Sequence, residues 1–99
     1  MSDREFLQID PATLHLPGGR RDGVDPTKLH RQLARYALSV AGMPPLEVSR
    51  GTDGELVIND GVTRATRVAK YLPGVLVTVE VTGMLPVAVG GLPTVKERL

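Results

Sequence analysis

A small α+β domain, with about four to five strands in a mixed sheet and two main helices, is the fold class the sequence predicts. Three observations predict it. Val75, Val77, Val79 and Val81 alternate with Leu76, Thr78, Glu80 and Thr82, the period of two shown by a half-buried strand. Two separate segments carry apolar residues at helical spacing, one after Asp25-Pro26 and one after Gly61. The elements follow in the order β, α, β, β, α, β, and no internal repeat or long linker divides them.

Residues 1–5 are polar and read as a flexible N-terminus. Phe6-Leu7-Gln8-Ile9 forms the first strand, which Asp10-Pro11 ends because proline cannot donate to a ladder. Leu14-His15-Leu16 reads as a short extension of that strand. Pro17 to Gly23 is then a mobile loop carrying Arg20 and Arg21. Asp25 as N-cap with Pro26 in the first helical position opens the first helix. Leu29, Leu33, Tyr36, Ala37 and Val40 form its buried stripe, while Lys28, Arg31 and Arg35 lie on another face. Gly42 is placed to end it in a left-handed cap, and Pro44-Pro45 prevents resumption.

Leu46-Glu47-Val48 is a short strand, and Gly51-Thr52-Asp53-Gly54 is the hairpin turn returning into Leu56-Val57-Ile58. Asn59-Asp60-Gly61 is turn chemistry, and the second helix runs from Val62 to Leu72 before Pro73-Gly74. Its apolar face is Val62, Ala65, Val68, Ala69 and Leu72, and Arg64, Arg67, Lys70 and Tyr71 fall on the other. Residues 83–99 form a C-terminal extension packed on the same domain, with an edge strand at Val87-Ala88-Val89 and a helical end at Thr94 to Leu99.

The bulk numbers narrow the chemistry. Ninety-nine residues make one domain, and 41% apolar content with only three aromatics makes its core aliphatic. With no cysteine and only His15 and His30, thiol catalysis is excluded and no metal site is expected. The polar start is unlike a signal peptide, and no apolar run reaches the roughly 20 residues of a membrane span, so the expectation is a cytoplasmic protein without membrane contact. A net charge of +1 makes no case for nucleic acid by itself. The basic residues are nevertheless clustered: Lys28, Arg31 and Arg35 on one helix and Arg64, Arg67 and Lys70 on the other. If both faces point the same way they make a nucleic-acid surface; if not, each is a solvated face.

The stretch from Leu56 to Ala69 carries the functional argument. A strand, a glycine turn and a helix start direct unpaired backbone N–H groups into one small volume, an anion site. Arg64 falls in the first turn, where a cation is unfavourable by roughly 0.3–1 kcal/mol unless an anion lies between it and the amides. Asn59, Asp60, Gly61, Thr63 and Arg64 are therefore the candidate phosphate- or nucleotide-binding residues, with Arg20, Arg21 and Arg67 in support. Asp60-Gly61 reads equally as a tight turn with an aspartate N-cap; Arg64 is favoured as a ligand contact, its alternative being a salt bridge to Asp60 or Glu80. His15, His30, Glu47, Glu55 and Glu80 offer acid–base chemistry in principle, and nothing in the sequence selects one.

Gly42, Pro45, Leu46 and Val48, then Leu56 to Arg64 and the strand Val75 to Val81, together resemble the ParB/sulfiredoxin-like superfamily over residues 6–82. The resemblance implies nucleotide or phosphate binding at the turn before the second helix. Gly61 stands at the motif glycine, Arg64 at its final arginine and Asp60 at the aspartate of the Asp-Gly-His-His-Arg signature. Val62 and Thr63 replace the Glu-Arg or His-His pair, and no cysteine replaces the sulfiredoxin nucleophile. The implied cofactor is a nucleotide, CTP or ATP, with magnesium. Three readings follow: a phosphate- or nucleotide-binding regulatory module; a divergent nuclease, phosphotransferase or toxin domain whose one motif candidate for catalysis is Asp60; and a ligand-free interaction domain that oligomerises through its valine strand or its tail. Residues 83–99 hold no helix-turn-helix, so ParB-style chromosome partitioning is not expected.

Overall fold

The computed structural model describes residues 4–20, 22–36 and 42–99. Its regular elements are β1 (Glu5–Ile9), α1 (Pro26–Tyr36), β2 (Leu46–Arg50), β3 (Leu56–Asp60), α2 (Val62–Tyr71) and β4 (Val77–Met84), with two short 3-10 turns between β1 and α1 and a third after β4. The chain is a small α+β domain with the expected element order. The four strands form one mixed sheet in the order β1-β4-β2-β3. β4 runs antiparallel to β1 and parallel to β2, and the β2–β3 hairpin is antiparallel.

The valine pattern explains the centre of this sheet. Val77 and Val79 are buried on one face of β4 with Leu46 and Val48 of β2 and Ile58 of β3. α2 lays Val62, Ala65, Val68 and Ala69 over that face, and α1 packs on α2. Within α1, Leu29 is buried and Leu33 half-buried, and Asp25 caps the helix through its Oδ1, which accepts from the Thr27 amide at 2.9 Å. The Tyr36 side chain, Ala37 and Val40 lie outside the described residues. No helix among the described residues is long and apolar enough to cross a membrane.

Several expectations are corrected. Leu14-His15-Leu16 does not extend β1. Asp10 caps a 3-10 turn at Pro11–Thr13, which redirects the chain, and His15 bridges Val57 in parallel and Thr94 antiparallel at the far edge of the sheet. The Pro17–Gly23 loop holds a 3-10 turn at Gly18–Arg20, closed by Arg20 N–H to Pro17 O at 2.8 Å. Residues 4 and 5 are anchored: Arg4 pairs with Glu80 at 2.8 Å, and Glu5 starts β1 and pairs with Arg50 at 2.6 Å. β4 is central, and Val79–Val81 pair with β1 on one side and β2 on the other, so that part of the strand offers no free edge to a second chain.

The tail also takes an irregular course. Val87-Ala88-Val89 forms no strand, because the Asp53 carboxylate, rather than a backbone ladder, receives the Val89 and Gly90 amides at 3.3 and 2.8 Å. The helical end is limited to the 3-10 turn Lys96–Arg98. Thr94 and Glu97 cap it reciprocally: Glu97 Oε1 accepts the Thr94 amide at 3.1 Å, and Thr94 Oγ1 accepts the Glu97 amide at 3.3 Å.

The largest departure concerns Arg67. It does not join Arg64 and Lys70 on a solvated face but is 0% exposed, with Nη2 donating to Met43 Sδ at 3.4 Å. A helix buried on one side by the sheet and flanked by α1 and the 43–46 segment has too narrow a solvent face for the whole basic stripe.

Candidate phosphate-binding cleft

β3 continues through Asn59 and Asp60, and the turn is concentrated in Gly61, with φ +109° and ψ 23°. Only glycine adopts that conformation cheaply, and a Cβ here would lie 2.5 Å from Leu46 Cδ2. Gly61, not Asp60, is thus the N-cap of α2. It brings no side-chain cap, so the Val62, Thr63 and Arg64 amides have no hydrogen-bond partner among the described residues.

These amides open on a cleft of ≈ 270 Å³ lined by Pro17, Arg20, Lys28, Gln32 and the run from Asn59 to Arg64. Three separate segments therefore build it: the 3-10 turn at Gly18–Arg20, one side of α1, and the β3–α2 corner. A second hollow of ≈ 240 Å³ adjoins it, lined by Lys28, Arg31, Gln32, Arg35 and Thr63. The basic stripe of α1 and the first turn of α2 accordingly face the same space.

Arg64 folds back over Gly61. Its Nη2 donates to Asp60 Oδ2 at 3.1 Å and its Nη1 to Pro44 O at 3.1 Å, with 17% of the side chain exposed. The salt-bridge alternative is therefore realised, with Asp60 as partner, and Glu80 is taken by Arg4. Asp60 supplies the negative charge that the sequence argument assigned to a ligand. Arg20 also lines the cleft, and its Nη2 is buried with no partner among the described residues. Gln32 Oε1, on the facing helix, is in the same condition. An unmatched buried polar atom typically costs about 1–3 kcal/mol.

Of the sequence-derived candidates, Asn59, Asp60, Gly61, Thr63, Arg64 and Arg20 all line the cleft. Asn59 turns its amide to the outer face of the sheet, where Nδ2 donates to Ser49 Oγ at 2.8 Å and Thr82 Oγ1 at 3.1 Å. Arg67 does not line the cleft, and Arg21 lies outside the described residues. Among the acid–base candidates none lines it: His30 is exposed on α1, and His15 is buried, donating through Nδ1 to Leu92 O at 2.7 Å with Nε2 3.4 Å from Glu55 Oε1. Among the described residues no cluster of three or more His, Cys, Asp or Glu is arranged to hold a metal.

Lys28 and Gln32 are the cleft residues that the motif argument passed over. Their spacing of four puts them on one helix side, next to the Leu29/Leu33 stripe, but nothing local says that this side meets Thr63. Comparison with protein-family models, curated proteins and solved structures finds no match to this chain.

Proposed function

We propose that the chain is a phosphate-binding module of the ParB/sulfiredoxin-like kind, holding a phosphoryl group where β3 turns through Gly61 into α2. One observation carries this reading: three open amides at a helix N-terminus share one cleft with the side chains of Arg20 and Lys28. Open amides and the positive helix end both favour an anion. The element order and the Asp60-Gly61-x-x-Arg64 spacing support the superfamily reading.

Binding is favoured over turnover. Val62 and Thr63 stand where the related signatures carry Glu-Arg or His-His, and Val62 is buried in the core. Asp60, the single catalytic candidate, is ion-paired to Arg64. A cleft of ≈ 270 Å³ is below the roughly 300–1,000 Å³ that encloses a drug-sized ligand, so of CTP or ATP it would take the phosphate end. It offers magnesium one carboxylate, already bonded to Arg64, so its residues suit phosphate better than a metal. A second reading, contact with a nucleic-acid backbone, is favoured by Lys28, Arg31 and Arg35 lining the adjoining hollow.

Calorimetric titration with inorganic phosphate, pyrophosphate, CTP and ATP, alongside thermal melting, tests the proposal. A ligand at a hundred times its Kd adds about 2.7 kcal/mol of stability. Arg20→Ala should weaken binding about tenfold, the loss expected for one charge-assisted hydrogen bond. No stabilisation by any of these ligands at millimolar concentration would overturn it.

A further inference from the structure

The strand order β1-β4-β2-β3 leaves the sheet two edges, and the chain treats them differently. Beyond β3 the Leu14–Leu16 segment seals one: the His15 amide donates to Leu56 O at 2.9 Å, and His15 O accepts from the Ile58 amide at 2.9 Å. Beyond β1 no segment does the same. Among the described residues the backbone hydrogen bonds of β1 run to β4 alone, in an unbroken register from Glu5–Val81 to Ile9–Val77. Such an edge presents a row of unpaired N–H and C=O groups, which proteins commonly guard with lysine, proline, a bulge or a covering segment. Glu5-Phe6-Leu7-Gln8-Ile9 has none of these.

The side chains of this edge suit a copy of the same strand. An antiparallel pair about a two-fold axis at Leu7 gives all five residues a counterpart and keeps core-facing residues on the core side of the extended sheet. Leu7 then faces Leu7 of the second copy, Glu5 faces Ile9, and Phe6 faces Gln8. Phe6 is 46% exposed on the outer side of the sheet, and the pairing gives its ring a neighbour. Charge does not oppose the approach. Glu5 is already paired with Arg50 at 2.6 Å and Arg4 with Glu80 at 2.8 Å, and in this register Arg4 falls opposite Asp10 of the second copy.

We propose that two copies of the chain associate by joining β1 to β1 antiparallel, so that one sheet runs through the dimer. A strand this short spans about 17 Å, which places the contact among the weak interfaces that bury less than about 1,200 Å². The dimer is therefore concentration-dependent. No residue of β1 lines the phosphate cleft, so this assignment and the phosphate reading stand or fall separately.

The test is sedimentation equilibrium of the full chain from micromolar to millimolar concentration, on the wild type and two double variants. Phe6 and Gln8 are both exposed, and each faces the other across the proposed two-fold. Phe6→Lys with Gln8→Lys sets like charges opposite one another twice by symmetry and should weaken dimerisation about tenfold or more. Phe6→Lys with Gln8→Glu sets opposite charges there and should restore most of the wild-type association. A wild-type chain that stays monomeric to millimolar concentration overturns the proposal. So does a dimer indifferent to both double variants, since its contact then lies elsewhere. Amide-exchange NMR reads the edge without any variant: among Glu5–Ile9, the amides not bonded to β4 should exchange more slowly as concentration rises. Exchange in β1 that does not change across a dimerisation transition overturns the assignment of the interface.

Discussion

Arg64 reaches back one helical turn to Asp60, Nη2 to Oδ2 at 3.1 Å, and that pair sits at the mouth of the open amides of α2. A cation at the positive end of a helix is tolerated here because a carboxylate one turn earlier neutralises it.

Removing Asp60 should therefore strengthen anion binding. Asp60→Asn deletes the one negative charge that lines the cleft among the described residues and leaves Arg64 with Pro44 O. Phosphate affinity should rise about two- to threefold, while stability changes by no more than about 0.5 kcal/mol, as for exposed i,i+4 pairs. Calorimetric titration and urea melts check both; a large loss of affinity would instead assign Asp60 a part in holding the ligand.

Gly61→Ala should be severe, and Gly74→Ala mild. Both glycines have positive φ, +109° and +85°, but a Cβ at Gly61 meets Leu46 Cδ2 at 2.5 Å whereas nothing lies within 4 Å at Gly74. Strain alone predicts about 1–2 kcal/mol at Gly74, and Gly61 should exceed that by a further 1–3 kcal/mol of overpacking. Denaturant midpoints of the two variants measure the difference.

The burial of Arg67 predicts a difference between two replacements. Arg67→Ala empties a fully buried volume beside Met43 and should destabilise by about 2–5 kcal/mol. Arg67→Met refills much of that space without a buried charge and should recover at least half of the loss. Since Arg67 lies outside the cleft, phosphate affinity at a temperature where both variants are folded should match wild type.

Acid should loosen the tail. Backbone donation from Gly90 and Val89 holds the Asp53 carboxyl below its ordinary range, and Thr94 does the same for Glu97. Arg50 lowers Glu5 and Arg4 lowers Glu80 by donated hydrogen bonds and charge. A carboxyl depressed on folding stabilises the native state above its unfolded value, near 4, and that contribution disappears as pH falls through the lower folded value. Melting temperature should fall between about pH 5 and pH 2. Asp53→Asn should flatten that dependence and speed hydrogen exchange at the Val89 and Gly90 amides, which amide-exchange NMR reads directly.

If the α1 stripe contacts nucleic acid, the contact is electrostatic. Lys28→Gln or Arg31→Gln should each lower the slope of log affinity against log salt by about one. A slope unchanged in both variants removes that face from the contact.

The order of elements was legible in the residues because it depends on short-range rules. Asp25-Pro26 can only begin a helix economically, the alternating valines suit only a strand, and the Gly61 turn requires φ that other residues avoid. The corner at Gly61 was visible for the same reason: three successive residues set where the α2 amides open. Periodicity states which residues share a side of their own element, but not which other element will lie against that side. Packing decided that β4 is central, that Leu14-His15-Leu16 crosses to the β3 edge, and that Asp53 captures the tail. It also buried Arg67, paired Arg64 with Asp60 rather than leaving it for a ligand, and brought Lys28 and Gln32 opposite Thr63. Each of these joins residues far apart in the chain or chooses between equivalent partners, and only the competition for buried volume among all the elements settles such choices.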